Sequence, residues 1–172
     1  MSDADPAGPG GVDRRLAELG LSLPDVVAPV GSYVPALRVG DLVWTSGQLP
    51  MRDGRLPATG KVGAGEGAVD PDTARELAAQ CALNALAAIR AEIGTLDAVE
   101  RVVKVVGFVA CDPGFSAHPG VINGASDLLG SIFGEAGRHA RSAVGVASLP
   151  LDAPVEVELV VQVRPAAGAG QA

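Results

Sequence analysis

The chain has 172 residues, enough for one domain with a substantial core, and 48% of them are apolar, which excludes a disordered polymer. Against 13 basic residues stand 20 acidic ones, a net charge of −7 with no dense Lys/Arg stripe; nucleic-acid binding rests mainly on neutralising phosphates, so the chain is a poor generic nucleic-acid binder. No uninterrupted apolar stretch nears the ~20 residues that span a bilayer, and no basic-then-apolar leader opens the chain, so the reading is a soluble, cytoplasmic protein with no membrane partner.

In chain order, residues 1–11 are rich in Gly, Pro, Asp and Ala and read as a disordered tail ahead of a single domain over 12–164. Val12 to Leu21 sets Leu16, Leu19 and Leu21 among charges, a short helix closed by Gly20. Tyr33–Val39 and Leu42–Ser46 flank the turn pair Gly40-Asp41, which predicts a hairpin. Residues 50–68 hold many Gly and Pro without periodicity and read as a long loop with at most one short strand. Asp70-Pro71 opens the clearest helix: Asp70 is suited to cap, Pro71 to the first helical position, and Gly94 to the C-terminal stop. Leu77, Cys81, Ala85 and Ala88 follow helical spacing along it. Val99–Ala110 is a valine-rich strand broken by Cys111-Asp112-Pro113-Gly114. A second helix is predicted from Pro119 to Glu135, then strands Arg141–Ser148 and Val155–Val163, then a flexible tail over 165–172. The order predicts an α+β fold: a β-sheet with two helices packed on one face.

With only 3% aromatics, the core must come from small and branched aliphatics, which suits a sheet under Ala-rich helices and suits subunit association. Cys81 sits on the apolar helical stripe, and Cys111 lies in a turn where His118 is the one local base; no Cys111–His118 pair is expected. Two cysteines and two histidines without ligand spacing predict no metal site, and nothing calls for a cofactor. Asp97 and Glu100 read as solvated charges and Trp44 as packing.

The segment from Arg141 to Glu158 carries the most chemistry. Arginine holds its charge at any working pH and offers a planar fork to a carboxylate. Glu156 and Glu158 share one face of the last strand, and acidic groups among valines are costly unless they meet water, a partner or a ligand. The pattern reads as a small-anion site beside a carboxylate that handles a proton or a water. A surface ion pair for Arg141 and a solvated strand glutamate are the plainer alternatives. Arg138 and His139 add local positive charge beside Arg141.

Two motifs carry a family resemblance. Arg141-Ser142-Ala143-Val144-Gly145-Val146-Ala147-Ser148-Leu149-Pro150 with Val155-Glu156-Val157-Glu158, and Gly31-Ser32-Tyr33 with Leu42-Val43-Trp44-Thr45-Ser46-Gly47-Gln48-Leu49-Pro50, resemble the RidA/YjgF family of enamine/imine deaminases, over roughly residues 30 to 164. The resemblance implies a chorismate-mutase-like sandwich and a homotrimer with sites at subunit interfaces. It implies that Arg141 binds a substrate carboxylate and that Glu156 serves the reacting centre. Tyr33, Ser46, Gly47, Asn123 and Ala143 match positions that line the family's site; Gly47 would let backbone approach a ligand. At Ala143 many family members carry Cys or Thr, and the loops at 50–68 and 111–120 look like insertions, so the chain reads as a divergent subgroup. The implied activity is hydrolysis of small enamine or imine acids, 2-aminoacrylate-like, to 2-oxo acids and ammonia. A non-catalytic trimer that binds small carboxylates is the alternative. An endoribonuclease, an activity also ascribed to the family, is disfavoured by the negative charge.

Overall fold

The computed structural model describes residues 11–26 and 31–165; apart from Gly11 and Pro165, the two expected tails lie outside the described residues. Helix α1 spans Gly11–Glu18, strand β1 Ala36–Val39, β2 Leu42–Thr45, helix α2 Pro71–Ile93, β3 Val99–Ala110, helix α3 His118–Phe133, β4 Ala140–Val146 and β5 Val155–Val163. The five strands form one mixed sheet in the order β1-β2-β5-β3-β4. All pairings are antiparallel except that of β3 with β4, whose crossover is α3.

Helix α2 starts where the sequence predicts: the Asp70 carboxylate accepts hydrogen bonds from the backbone N–H groups of Asp72 and Thr73, at 3.1 and 2.9 Å. It ends at Gly94, whose N–H donates to the Arg90 carbonyl. Between the caps, residues 80–89 are all buried, because the helix packs against both the sheet and α3. The two helices approach closely at Gly124, where a Cβ would overlap the Arg75 carbonyl. Leu86, Ile89, Ile122, Leu129, Ile132 and Leu159 are fully buried and centre the core. Val43, Val105, Val157 and Val161 present the sheet's inner side to them.

Some boundaries differ from the sequence reading. Tyr33 lies in a bend before β1, because pairing with β2 begins only at Ala36. The loop 50–68 contains isolated bridges, Arg52 with Arg55 and Val62 with both Val69 and Cys111, rather than a strand. Asp97 is not simply solvated: its carboxylate accepts the Val12 N–H at 2.9 Å and so fixes the start of α1.

Among the described residues, no helix packs on the sheet's other side. By strand alternation and register, Leu37, Val39, Trp44, Val106, Phe108, Val144 and Val160 share this side with Glu156 and Glu158. Trp44 is therefore not core packing in the single chain; it is half exposed there.

Candidate functional site

The carboxylate cluster comes first. Beyond β2 the chain continues through Ser46, Gly47 and Gln48 alongside β5, with Gln48 exchanging backbone hydrogen bonds with Val157 at 2.9 and 3.1 Å. This lays Gly47 against the side chain of Glu156, and a Cβ at position 47 would fall within its carboxyl group. The space beside Gly47 is taken by Glu156, which glycine alone permits to lie there. Glu156 is half-buried; burial first, and then the nearby Glu158, push its carboxyl above the usual range. Burial does the same to Glu158. No ion pair to Glu158 forms among the described residues.

Both carboxylates line a cleft of about 440 Å³ together with Tyr33, Ser46, Gly47, Leu49, Pro150 and Leu151. Tyr33 is half exposed within it. The Ser46 hydroxyl donates to the Val34 carbonyl at 2.7 Å, so it ties down the segment that carries Tyr33. Four predicted residues, Tyr33, Ser46, Gly47 and Glu156, are thus brought together.

The other three are assembled elsewhere. Arg141 pairs with Val105 and Ala143 with Gly107, on the helix side of the sheet. There the Arg141 Nη1 donates to the Asn123 Oδ1 at 2.8 Å and to the Ser126 hydroxyl at 3.0 Å, both from α3. The guanidinium is thereby held from one end; its Nε and Nη2 have no hydrogen-bond partner among the described residues. Glu156, on β5 two strands from β4, pairs with Phe108 and faces the other side. Within one chain, then, Arg141 and Glu156 occupy opposite faces of the sheet, and the expectation of an anion site directly beside the carboxylate does not describe the monomer. The alternation of strand side chains, counted separately on β4 and β5, cannot reveal this; the pairing through β3 can.

The positive patch is weaker than its sequence suggests. Arg138 is engaged by Glu135 at 3.3 Å, and His139 lies within hydrogen-bond distance of the Ser126 hydroxyl and the Gly137 carbonyl, at 3.0 and 2.6 Å. Cys111 and His118 do meet, against expectation: Sγ and Nε2 are 3.3 Å apart, because β3 ends where α3 begins. Gly145 on β4 leaves the space that the pair fills. Burial, and next Asp112, raise the Cys111 thiol, which keeps it protonated rather than poised as a thiolate. Among the described residues no group of three or more His, Cys, Asp or Glu is placed to hold a metal ion, and no helix is long and apolar enough to cross a membrane.

A supporting network escaped the sequence reading. Arg52 Nε donates to Gln80 Oε1 at 2.8 Å, and Gln80 Nε2 donates to Asn84 Oδ1 at 2.9 Å. Asn84 Nδ2 donates to the carbonyls of Leu49 and Met51, at 2.7 and 3.1 Å. Two buried amides therefore anchor the loop that supplies Leu49 to the cleft. The signal was present: Gln80 and Asn84 are polar positions four apart inside an otherwise apolar helical run.

Comparison with known proteins bears on the family and the fold. Residues 13–163 match the family described as "YjgF/chorismate_mutase-like, putative endoribonuclease". The chain is 44% identical to Protein TCP17 of Trypanosoma cruzi, covering 90% of this chain and 96% of that one. It is 32% identical to a 2-iminobutanoate/2-iminopropanoate deaminase of Dermatophagoides farinae, covering 84% and 95%. The crystal structure of Atu1372 from Agrobacterium tumefaciens superposes with a TM-score of 0.81 at 44% identity, over 89% of this chain and 92% of that one. With the family model spanning nearly all of the described fold, and with an α+β sheet that carries its helices on one face, the chain belongs to the YjgF/RidA-like family of chorismate-mutase-like proteins.

Proposed function

We propose that this protein hydrolyses imines of 2-amino acids, and the enamines in equilibrium with them, to 2-oxo acids and ammonia. The observation that carries the reading is the Glu156 carboxyl, raised by burial and held against Gly47 in an open cleft. A carboxyl raised above its ordinary value takes up a proton more readily at working pH than an ordinary one. In this reading the ionised Glu156 takes a proton from water as the oxygen adds to the carbon of the protonated imine. The protonated Glu156 returns it to the amine nitrogen; the C–N bond then breaks as the hydroxyl oxygen forms the carbonyl, and the hydroxyl proton leaves with ammonia as ammonium, so the carboxylate ends as it began. Arg141 takes the substrate carboxylate on the free side of its fork, while Asn123 and Ser126 hold the other side.

Because Arg141 and Glu156 face opposite sides of one sheet, the complete site needs a second copy of the chain, Arg141 from one and Glu156, Tyr33 and Ser46 from the other. The helix-free sheet side, with Leu37, Val39, Trp44 and Val144 exposed, is the surface such copies would cover, in the homotrimer that the family resemblance implies. The compartment proposed is the cytoplasm.

The test is ammonia release from imines made in situ by an amino-acid oxidase with catalase present. Glu156→Gln should lower the protein-dependent rate by about 10²-fold, the low end for acid–base catalysis because imines also hydrolyse unaided. Light scattering should give a trimer at micromolar concentration. If the wild type never exceeds the buffer rate yet binds 2-oxo acids, the protein is a small-carboxylate binder. Ala143, which offers no side-chain group beside Arg141, favours that second reading.

A further inference from the structure

Apart from its carboxylates, Ser46 and Gly47, the cleft is lined by Leu49, Pro150, Leu151 and Tyr33, with no Lys or Arg among its described lining residues. Leu151 is the unusual member. It is 61% exposed, and its backbone is left-handed, at φ 57° and ψ 21°. That region is costly for a residue with a branched side chain and is usually left to glycine. The next residue, Asp152, is left-handed too, at φ 58°. The turn is nonetheless firmly held: Asp152 N–H donates to the Leu149 carbonyl at 3.2 Å, Ala153 N–H to the Pro150 carbonyl at 3.1 Å, and Gly60 N–H from the 50–68 loop to the Asp152 carbonyl at 2.8 Å. A large aliphatic group is thus held in a strained conformation, mostly in solvent, at a cleft. Neither core packing nor solubility gains from it, and strain of this kind gathers where ligands are gripped.

We infer that Leu151 is a specificity-determining residue which covers an aliphatic substituent, so that the preferred substrates are imines of amino acids with propyl to isobutyl side chains rather than the three-carbon imine. The inference rests on the imine-hydrolase reading and extends it to a substrate class. The cleft has room for such a side chain: at about 440 Å³ it is larger than a three-carbon imino acid needs. Glu156 and Glu158 disfavour an acidic substituent in the same space.

The experiment compares imines generated in situ from alanine, 2-aminobutyrate, norvaline and leucine, with wild type and Leu151→Gly. In parallel, calorimetry measures binding of the matching 2-oxo acids, and light scattering follows the oligomer. Wild-type affinity is expected to rise about 4-fold per added methylene, the equivalent of ~0.8 kcal/mol. In Leu151→Gly that gradient flattens, the leucine-derived ligand losing roughly 10-fold more than the alanine-derived one. Its thermal midpoint does not fall, because glycine suits the left-handed backbone. A flat wild-type series overturns the inference. So does an equal loss across the series accompanied by dissociation, which would make Leu151 a subunit contact. If no imine is turned over faster than in buffer but 2-oxo-acid binding still follows the gradient, hydrolysis is refuted and the side-chain preference stands.

Discussion

Gly47→Ala separates the position of Glu156 from the stability of the fold. The new Cβ would fall within the Glu156 carboxyl group and 3.1 Å from its Cγ, so the glutamate must swing away. What moves is the far end of a flexible side chain, and leaving a preferred rotamer costs about 0.5–1.5 kcal/mol. Gly47 does not use the left-handed region, so alanine fits its backbone and recovers about 0.4–1 kcal/mol by restricting the unfolded chain. The two nearly cancel, and the thermal midpoint should shift by no more than ~4 °C. Activity should not be spared. A displaced Glu156 no longer reaches the water and the imine, and the protein-dependent rate should fall about 10²-fold, as for Glu156→Gln. The assays are calorimetric unfolding and ammonia release from a leucine-derived imine made in situ. A folded Gly47→Ala with wild-type turnover would refute the claim that the glycine exists to place Glu156. A variant that fails to fold would refute the claim that only a flexible side chain stands in the way.

Arg141→Lys keeps the charge but loses the planar fork and the Nη1 bonds to Asn123 and Ser126; 2-oxo-acid binding should weaken by ~1.5–3 kcal/mol in calorimetry, with folding retained. Asn84→Leu leaves the carbonyls of Leu49 and Met51 without their amide donor and Gln80 Nε2 without its acceptor; it should cost about 1–3 kcal/mol, read as a lower midpoint in thermal unfolding. The raised carboxyl of Glu156 makes a pH prediction. Its folded-state value lies above the unfolded one, so ionisation destabilises the fold: the cost is absent below the ordinary carboxylate range, grows as pH rises through the folded value, and is complete above it. Glu156→Gln should therefore unfold at a higher temperature than wild type at neutral pH, and the advantage should vanish near about pH 4.

Several features were set by local sequence alone. The Asp70 cap, the Gly94 stop and the spacing of Leu77 and Cys81 define α2 because caps and helical periodicity act within a few residues. The valine runs of β3 and β5 and the hairpin around Gly40-Asp41 followed for the same reason. That Glu156 and Glu158 point the same way needed only the two-residue period of a strand. The assembly of the site was not local. Gly47 beside Glu156, Cys111 beside His118, and Asn84 beneath Leu49 are contacts between segments 7 to 109 positions apart, the shortest of them across a strand end turning into a helix. Arg141 and Glu156 lie in one continuous motif, yet β3 runs between their strands and sets them on opposite faces. Alternation within a strand is a property of the chain, but which face is inner is decided by where the helices pack. Only the tertiary structure could show that this motif supplies two different surfaces rather than one.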